Sequence, residues 1–114
     1  MLALLPRTVR ERRAFALLSV TAGVCEETLY RGVLAAVVTA LWPGVGAVGA
    51  AMLSAAAFGL AHLYQGAVGV VTSTVLGACL GVLYLATGSL VLPACYHALV
   101  DLRILLVPPT RLPR

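Results

Sequence analysis

The sequence predicts an all-α, multi-pass membrane helical bundle with about four transmembrane helices, and three observations carry that prediction. Of its 114 residues, 61% are hydrophobic and only 11% are charged, whereas a water-soluble domain carries about 25% charged residues. Four apolar runs follow one another along the chain, most of them close to the ~20 residues that a spanning helix needs. The arginines gather at the chain ends and leave the loops at 42–46 and 87–89 bare. A disordered segment, a collagen-like fibre and a disulfide-stapled secreted domain are excluded, because each needs a different excess of charge, glycine period or cysteine.

The first run, residues 14–41, is broken only by Glu26, Glu27 and Arg31 and is closed by Trp42-Pro43-Gly44. As one helix it would measure about 42 Å against a hydrocarbon core of about 30 Å, so its first turns lie in the interface or the helix tilts strongly. The second run, residues 45–63, is made largely of Ala and Gly, which suits close helix contact in lipid. Tyr64-Gln65-Gly66 reads as a turn. The third run, residues 67–86, carries Gly77 and Gly81 at small-xxx-small spacing, read as a packing face. The fourth, residues 90–107, holds Pro93 near its start and ends at Pro108-Pro109. The chain therefore divides into an Arg-rich cytoplasmic segment at 1–13, a membrane core at 14–107 and a tail at 108–114.

Lysine is absent, and Arg7, Arg10, Arg12 and Arg13 crowd the first fourteen positions. They lead into an apolar run rather than a polar face with base-contacting residues, so the charge is a topology signal and no nucleic-acid partner is expected. The positive-inside rule places both termini in the cytoplasm of a plasma-membrane protein, a parity that four crossings satisfy. No cleavable signal peptide is expected, since Leu2 to Leu5 precede the arginines and no clear cleavage site follows a short apolar core. Cys25, Cys79 and Cys95 are odd in number and sit in apolar runs, where thiols are expected to pack as small hydrophobes.

Within those runs stand Glu26, Glu27, Arg31, His62, His97, Asp101 and Arg103. A charge near the bilayer centre costs about 2.5 to 3.5 kcal/mol, so residues of this kind pair, line a wet cavity or do chemistry. Glu27 and Arg31 are four apart with the acid first, the favourable order for an ion pair along one helix face. Glu26 lies about 100° around the helix, leaving one carboxylate that needs another partner. His97 and Asp101, also four apart, share a face, and His62 ends run two at the same side of the membrane. Alone, either histidine would read as a hydrogen-bonded packing residue. Acids and imidazoles on three separate runs make an expensive structural network and point to a site in the cytoplasmic half. Cys25 is set aside as a nucleophile because a buried thiol has a raised pKa and no helix N-terminus is near to lower it.

Together, Glu26-Glu27-Thr28-Leu29-Tyr30-Arg31, Phe58-Gly59-Leu60-Ala61-His62 and His97-Ala98-Leu99-Val100-Asp101 resemble the EExxxR, FxxxH and HxxxN/D motifs of the CAAX-protease and bacteriocin-processing family. The resemblance spans residues 20–105 and implies an intramembrane endopeptidase, of which this chain looks like little more than the motif-bearing core. By resemblance, Glu26 would be the general base that takes a proton from water, with His62 holding and polarising that water. His97 and Asp101 would match the positions that stabilise the oxyanion. Glu27 and Arg31 would brace the first helix, and Phe58 would pack beside the site. CAAX-processing members commonly have Asn where this chain has Asp101. An ionised carboxylate only accepts hydrogen bonds, so Asp101 is expected to orient His97 and leave His97 as the donor.

Glu26, His62, His97 and Asp101 are also a conceivable ligand set for zinc. The chain has no HExxH, and the resemblance implies a metal-free, glutamate-activated water, with a metal-dependent version of the same protease, as the family was once described, as the alternative. The expected partners are the lipid bilayer and a peptide or membrane-protein substrate, and the small-residue faces suit a homo-oligomer. A non-catalytic membrane scaffold or a bacteriocin self-immunity protein is the alternative function. A proton pathway is disfavoured because the ionisable residues form no ladder across the membrane.

Overall fold

The computed structural model describes residues 5–113. Residues 2–4, weighed above as part of a leader, and the tail residue Arg114 lie outside the described residues. The described residues are all helical, without a strand, and form four rods.

The first rod begins at Val9, five residues before the apolar run. Thr8 and Glu11 explain the early start. The Glu11 backbone N–H donates to Thr8 Oγ1 at 3.2 Å, and the Thr8 backbone N–H donates to Glu11 Oε2 at 3.0 Å, a reciprocal cap of the orphan donors. The spacing Thr8-Val9-Arg10-Glu11 announces that cap in the sequence, and Arg10, Arg12 and Arg13 consequently lie on helical turns. Helix α1, Val9–Glu27, continues through a wider π-helical stretch, Thr28–Leu34, into α2, Ala35–Leu41.

Trp42 leaves helical geometry, and Gly46 turns the chain at φ +70°. Helix α3, Gly46–Ala61, then returns. Gly66, at φ +79°, starts α4, Gly66–Thr87, so the expected Tyr64-Gln65-Gly66 turn is present as a 3₁₀ turn and a glycine. Gly88 caps α4 in the left-handed conformation, its N–H donating to the Tyr84 carbonyl at 2.8 Å.

The fourth rod is shorter than expected. Helix α5, Val91–Leu102, gives way to a 3₁₀ turn at Arg103–Leu106, and Val107, which precedes Pro108, is extended because proline disfavours helix at the residue before it.

Two helical stretches, Pro43–Ala61 and Leu63–Thr87, are long and apolar enough to cross a membrane, with mean hydropathies of 1.7 and 2.0. The first rod is long but charged, and α5 with 12 residues spans only about 18 Å.

Packing is inverted relative to a water-soluble bundle. The buried positions include Glu27, Arg31, His97, Ser19, Ser54 and Ser73 together with Ala50, Ala51, Ala55, Phe58 and Leu80, whereas Leu17, Val24, Leu60, Val68, Val82 and Leu99 face outward. Cys25, Cys79 and Cys95 are free and exposed. The expectation of packed thiols is thereby corrected: these helices turn their apolar sides outward and keep small and polar residues for the contacts.

Helices α3 and α4 form an antiparallel hairpin in which Gly59 lies directly against Thr74 and the Val70 carbonyl. Helix α5 packs on α1 where Gly23 meets Ala94 and Ala98, and a Cβ there would stand 2.7 Å from the Ala94 carbonyl oxygen. Close approach of this kind is what small residues provide between helices in lipid. Arg12 donates to the carbonyls of Leu105 and Val107, and Arg7 to that of Pro113. The beginning and end of the described chain thus meet at one end of the bundle, and the arginines there satisfy carbonyls that no helical N–H reaches.

Candidate active site

The junction of α1 with the π-helical stretch carries Glu26, Glu27 and Arg31. Arg31 is 3% exposed and Glu27 fully buried. The expected i, i+4 pair is present: Arg31 Nη1 donates to Glu27 Oε1 at 3.1 Å. Arg31 Nη2 reaches across to α4 and donates to the Gly77 carbonyl at 2.7 Å. The wider π turn leaves the Tyr30 carbonyl open to a bond of 2.5 Å from Ser54 Oγ of α3, while the Ala35 N–H also donates to it. No residue in Thr28-Leu29-Tyr30-Arg31-Gly32-Val33-Leu34 announces this widening, which is of a kind concentrated at functional sites.

His97 projects from α5 into the same space. Its Nδ1 donates to Glu27 Oε1 at 2.7 Å, so one carboxylate oxygen receives both Arg31 and His97. The other ring nitrogen, Nε2, lies 3.5 Å from Glu26 Oε2 and 3.7 Å from Asp101 Oδ2. The sequence reading put Asp101 behind His97 as its orienting acid. Glu27 takes that place instead, and Asp101 stands at the opposite nitrogen. Because the helices approach from different sides, spacing along α5 alone could not tell which nitrogen Asp101 would meet.

Glu26 and Glu27 each retain one oxygen, Oε2, that is buried without a hydrogen-bond partner among the described residues. For Glu27 the atom is simply left over from a carboxylate already twice bonded. Glu26 is different, because none of its contacts is short enough to be a hydrogen bond.

His62 ends α3, and its Nδ1 donates to the Phe58 carbonyl at 2.8 Å. A carbonyl only accepts, so the proton resides on Nδ1 and the neutral ring offers a lone pair at Nε2. Phe58, 1% exposed, is the centre of the cluster. Its ring centroid is 4.5 Å from that of His62, 5.5 Å from that of His97 and 5.1 Å from that of Tyr30, and the Arg31 guanidinium sits 4.9 Å above it. Phe58 thus touches side chains from all three motifs.

A cavity of about 300 Å³ opens on this cluster, lined by Phe58, His62, His97, Asp101, Gln65, Thr72, Ser73, Leu76, Val100 and Arg103. Spacing in the sequence pointed to Arg103 as an ionisable residue but not to Gln65, Thr72 or Ser73. Their only signal is polarity at the start of an otherwise apolar helix.

The possible zinc set does not fit as placed. Among the described residues no group of three or more His, Cys, Asp or Glu side chains could hold a metal ion.

The model of the family described as type II CAAX prenyl endopeptidase Rce1-like matches residues 10–103. The chain belongs to that family. The matched stretch contains every site residue named above and ends at Arg103, the first residue of the 3₁₀ turn. Membership of the Rce1-like endopeptidases makes this a chain of a membrane protease family, and the sequence motifs that suggested it sit on α1, α3 and α5. No curated protein and no solved structure matches the chain.

Proposed function

We propose that this chain is a multi-pass intramembrane endopeptidase that hydrolyses a peptide bond of a membrane-associated peptide or protein, using a water activated by Glu26 and His62. The observation that carries the reading is Glu26 Oε2, a buried acceptor with no partner, 3.5 Å from an imidazole. An unpaired buried carboxylate oxygen is costly to keep and is accounted for if a water donates to it during turnover.

In that reading Glu26 takes the water proton as the oxygen attacks the substrate carbonyl, and His62 Nε2 accepts the water's second hydrogen. The proton held by Glu26 then passes to the leaving amine nitrogen as the carbon–nitrogen bond breaks. With Nδ1–H given to Glu27, His97 can donate from Nε2 only as the imidazolium, and in that form it stabilises the oxyanion. Asp101, 3.7 Å from Nε2, balances the imidazolium charge. Glu27 and Arg31 hold the ring in place. The base is the carboxylate itself, and no step requires a metal.

The outward-facing Leu and Val side chains and the two long apolar helices support a bundle seated in lipid, with the apolar run 14–41 as a third crossing and α5 extended by the turn at Arg103–Leu106 as the fourth. The meeting of both chain ends at an arginine-rich end supports cytoplasmic termini in a plasma membrane, and the small-residue faces leave room for self-association.

The test is cleavage of membrane-anchored peptides by the purified protein in detergent, comparing wild type with Glu26→Gln, each with and without a zinc chelator. Cleavage lost in the variant and kept under chelation is the expected result. Loss under chelation would make Glu26, His62, His97 and Asp101 metal ligands. A well-folded wild type that cleaves nothing would turn the reading toward a scaffold or self-immunity protein.

A further inference from the structure

The bond between Glu27 and His97 is held from a third helix, by a residue that lies in none of the three motifs. Arg31 Nη2 donates to the Gly77 carbonyl of α4 at 2.7 Å while Nη1 donates to Glu27 Oε1 at 3.1 Å, and the same oxygen receives His97 Nδ1 at 2.7 Å. A guanidinium is a rigid planar fork, so fixing one nitrogen against a backbone carbonyl sets where the other can donate.

The lack of a side chain at Gly77 is what admits the fork. A Cβ there would stand 2.9 Å from Arg31 Nη2, 3.1 Å from Phe58 Cδ1 and 3.3 Å from Ala55 Cα. Both side chains in its way lead to His97: Arg31 through Glu27, and Phe58 through its edge-to-face contact with the imidazole at 5.5 Å. Gly81, one turn on, is different. A Cβ at Gly81 would meet only Ala51, at 3.5 Å from its Cβ, which is ordinary contact. The small-residue face of α4 therefore divides into a packing position at Gly81 and a position at Gly77 that touches the site's support.

We propose that Gly77 is a positioning residue: its bare backbone carbonyl anchors Arg31, and through Arg31 and Glu27 it holds the Nδ1–H of His97 on Glu27 and fixes where Nε2 points. The consequence for hydrolysis rests on the role given to His97 above, whereas the coupling of Gly77 to His97 does not.

The experiment uses the full chain in detergent with 15N-labelled histidine, read by NMR. His62 and His97 are the only histidines, so assignment needs one His62→Gln control. Wild type is expected to show an Nδ1-protonated His97 with a strongly deshielded proton shared with a carboxylate. Gly77→Ala is expected to lose that signature and Gly81→Ala to retain it. Arg31→Lys, which keeps the charge but not the fork, is expected to reproduce the Gly77→Ala spectrum, and the double variant to add nothing to Arg31→Lys alone. In the cleavage assay Gly77→Ala should lower kcat about 10-fold with KM nearly unchanged and displace the pH profile of kcat, while Gly81→Ala follows wild type.

An unaltered His97 resonance in a folded Gly77→Ala overturns the proposal, as do equal effects at Gly77 and Gly81. If Gly77→Ala does not fold, an unaltered His97 in Arg31→Lys overturns it independently. If wild type cleaves nothing yet the His97 signal responds as described, the hydrolytic reading fails and the anchoring role stands.

Discussion

Glu27 Oε1 receives hydrogen bonds from both Arg31 Nη1 and His97 Nδ1, at 3.1 and 2.7 Å. One carboxylate oxygen thus ties the first helical rod to α5, and the two motifs are joined by a bond and not merely by proximity. Replacing that carboxylate with an amide leaves the Arg31 charge, buried at 3% exposure, without its counter-ion. Glu27→Gln is expected to lower stability by about 3 kcal/mol and to abolish cleavage, measured as thermal unfolding in detergent alongside the peptide assay. A variant as stable as wild type would show that the pair is dispensable to the fold.

Glu26 makes the contrasting prediction. Its Oε2 is buried with no hydrogen-bond partner, so Glu26→Gln removes a carboxylate that no hydrogen bond of the fold holds. Stability should stay level or rise, while cleavage falls by about 10² to 10⁴, the range for a lost general base. A matching fall in stability would make Glu26 a structural acid.

Gly23 is the close contact between α1 and α5. A Cβ added there would stand 2.7 Å from the Ala94 carbonyl oxygen and 3.1 Å from the Ala98 backbone nitrogen, and backbone cannot swing aside as a side chain can. Gly23→Ala is expected to cost about 1 to 3 kcal/mol, read by thermal unfolding, and to lower cleavage by drawing His97 away from Glu27. Gly81→Ala, with only ordinary contacts, is the matched control.

The N-terminal cap should respond to acid. Glu11 lies outside the apolar run, and its carboxylate is held below the usual range by the backbone N–H groups of Thr8 and Arg7. A group whose pKa is depressed on folding contributes its stabilisation above the unfolded value of about 4.3 and loses it as pH falls through the folded value. Protection of the Arg7 and Thr8 amides, measured as exchange relative to their intrinsic rates, should therefore fall as pH drops through the folded value, and Glu11→Gln should flatten that response.

Much of the fold and part of the site were legible in the residues themselves. Apolar runs of spanning length, the Trp42-Pro43-Gly44 stop and the turn glycine Gly66 specify helices and breaks locally, because backbone conformation answers to neighbours a few residues away. The ion pair of Glu27 with Arg31 was legible for the same reason, since four residues make one helical turn. The capping signal at Thr8 and Glu11 is equally local and starts the helix at Val9, five residues ahead of the apolar run.

What only the tertiary structure decided is everything that depends on how one rod is rotated against another. His97 could have turned Nδ1 to Asp101, to Glu26 or to Glu27, and no spacing chooses among acids on different helices. The approach of α5 at Gly23, the π-helical widening that carries Arg31 and the bare carbonyl of Gly77 make the choice together. The chain by itself determined which groups would have to find partners away from water. The packing of backbone on backbone, possible only where side chains are missing, determined which partners they found.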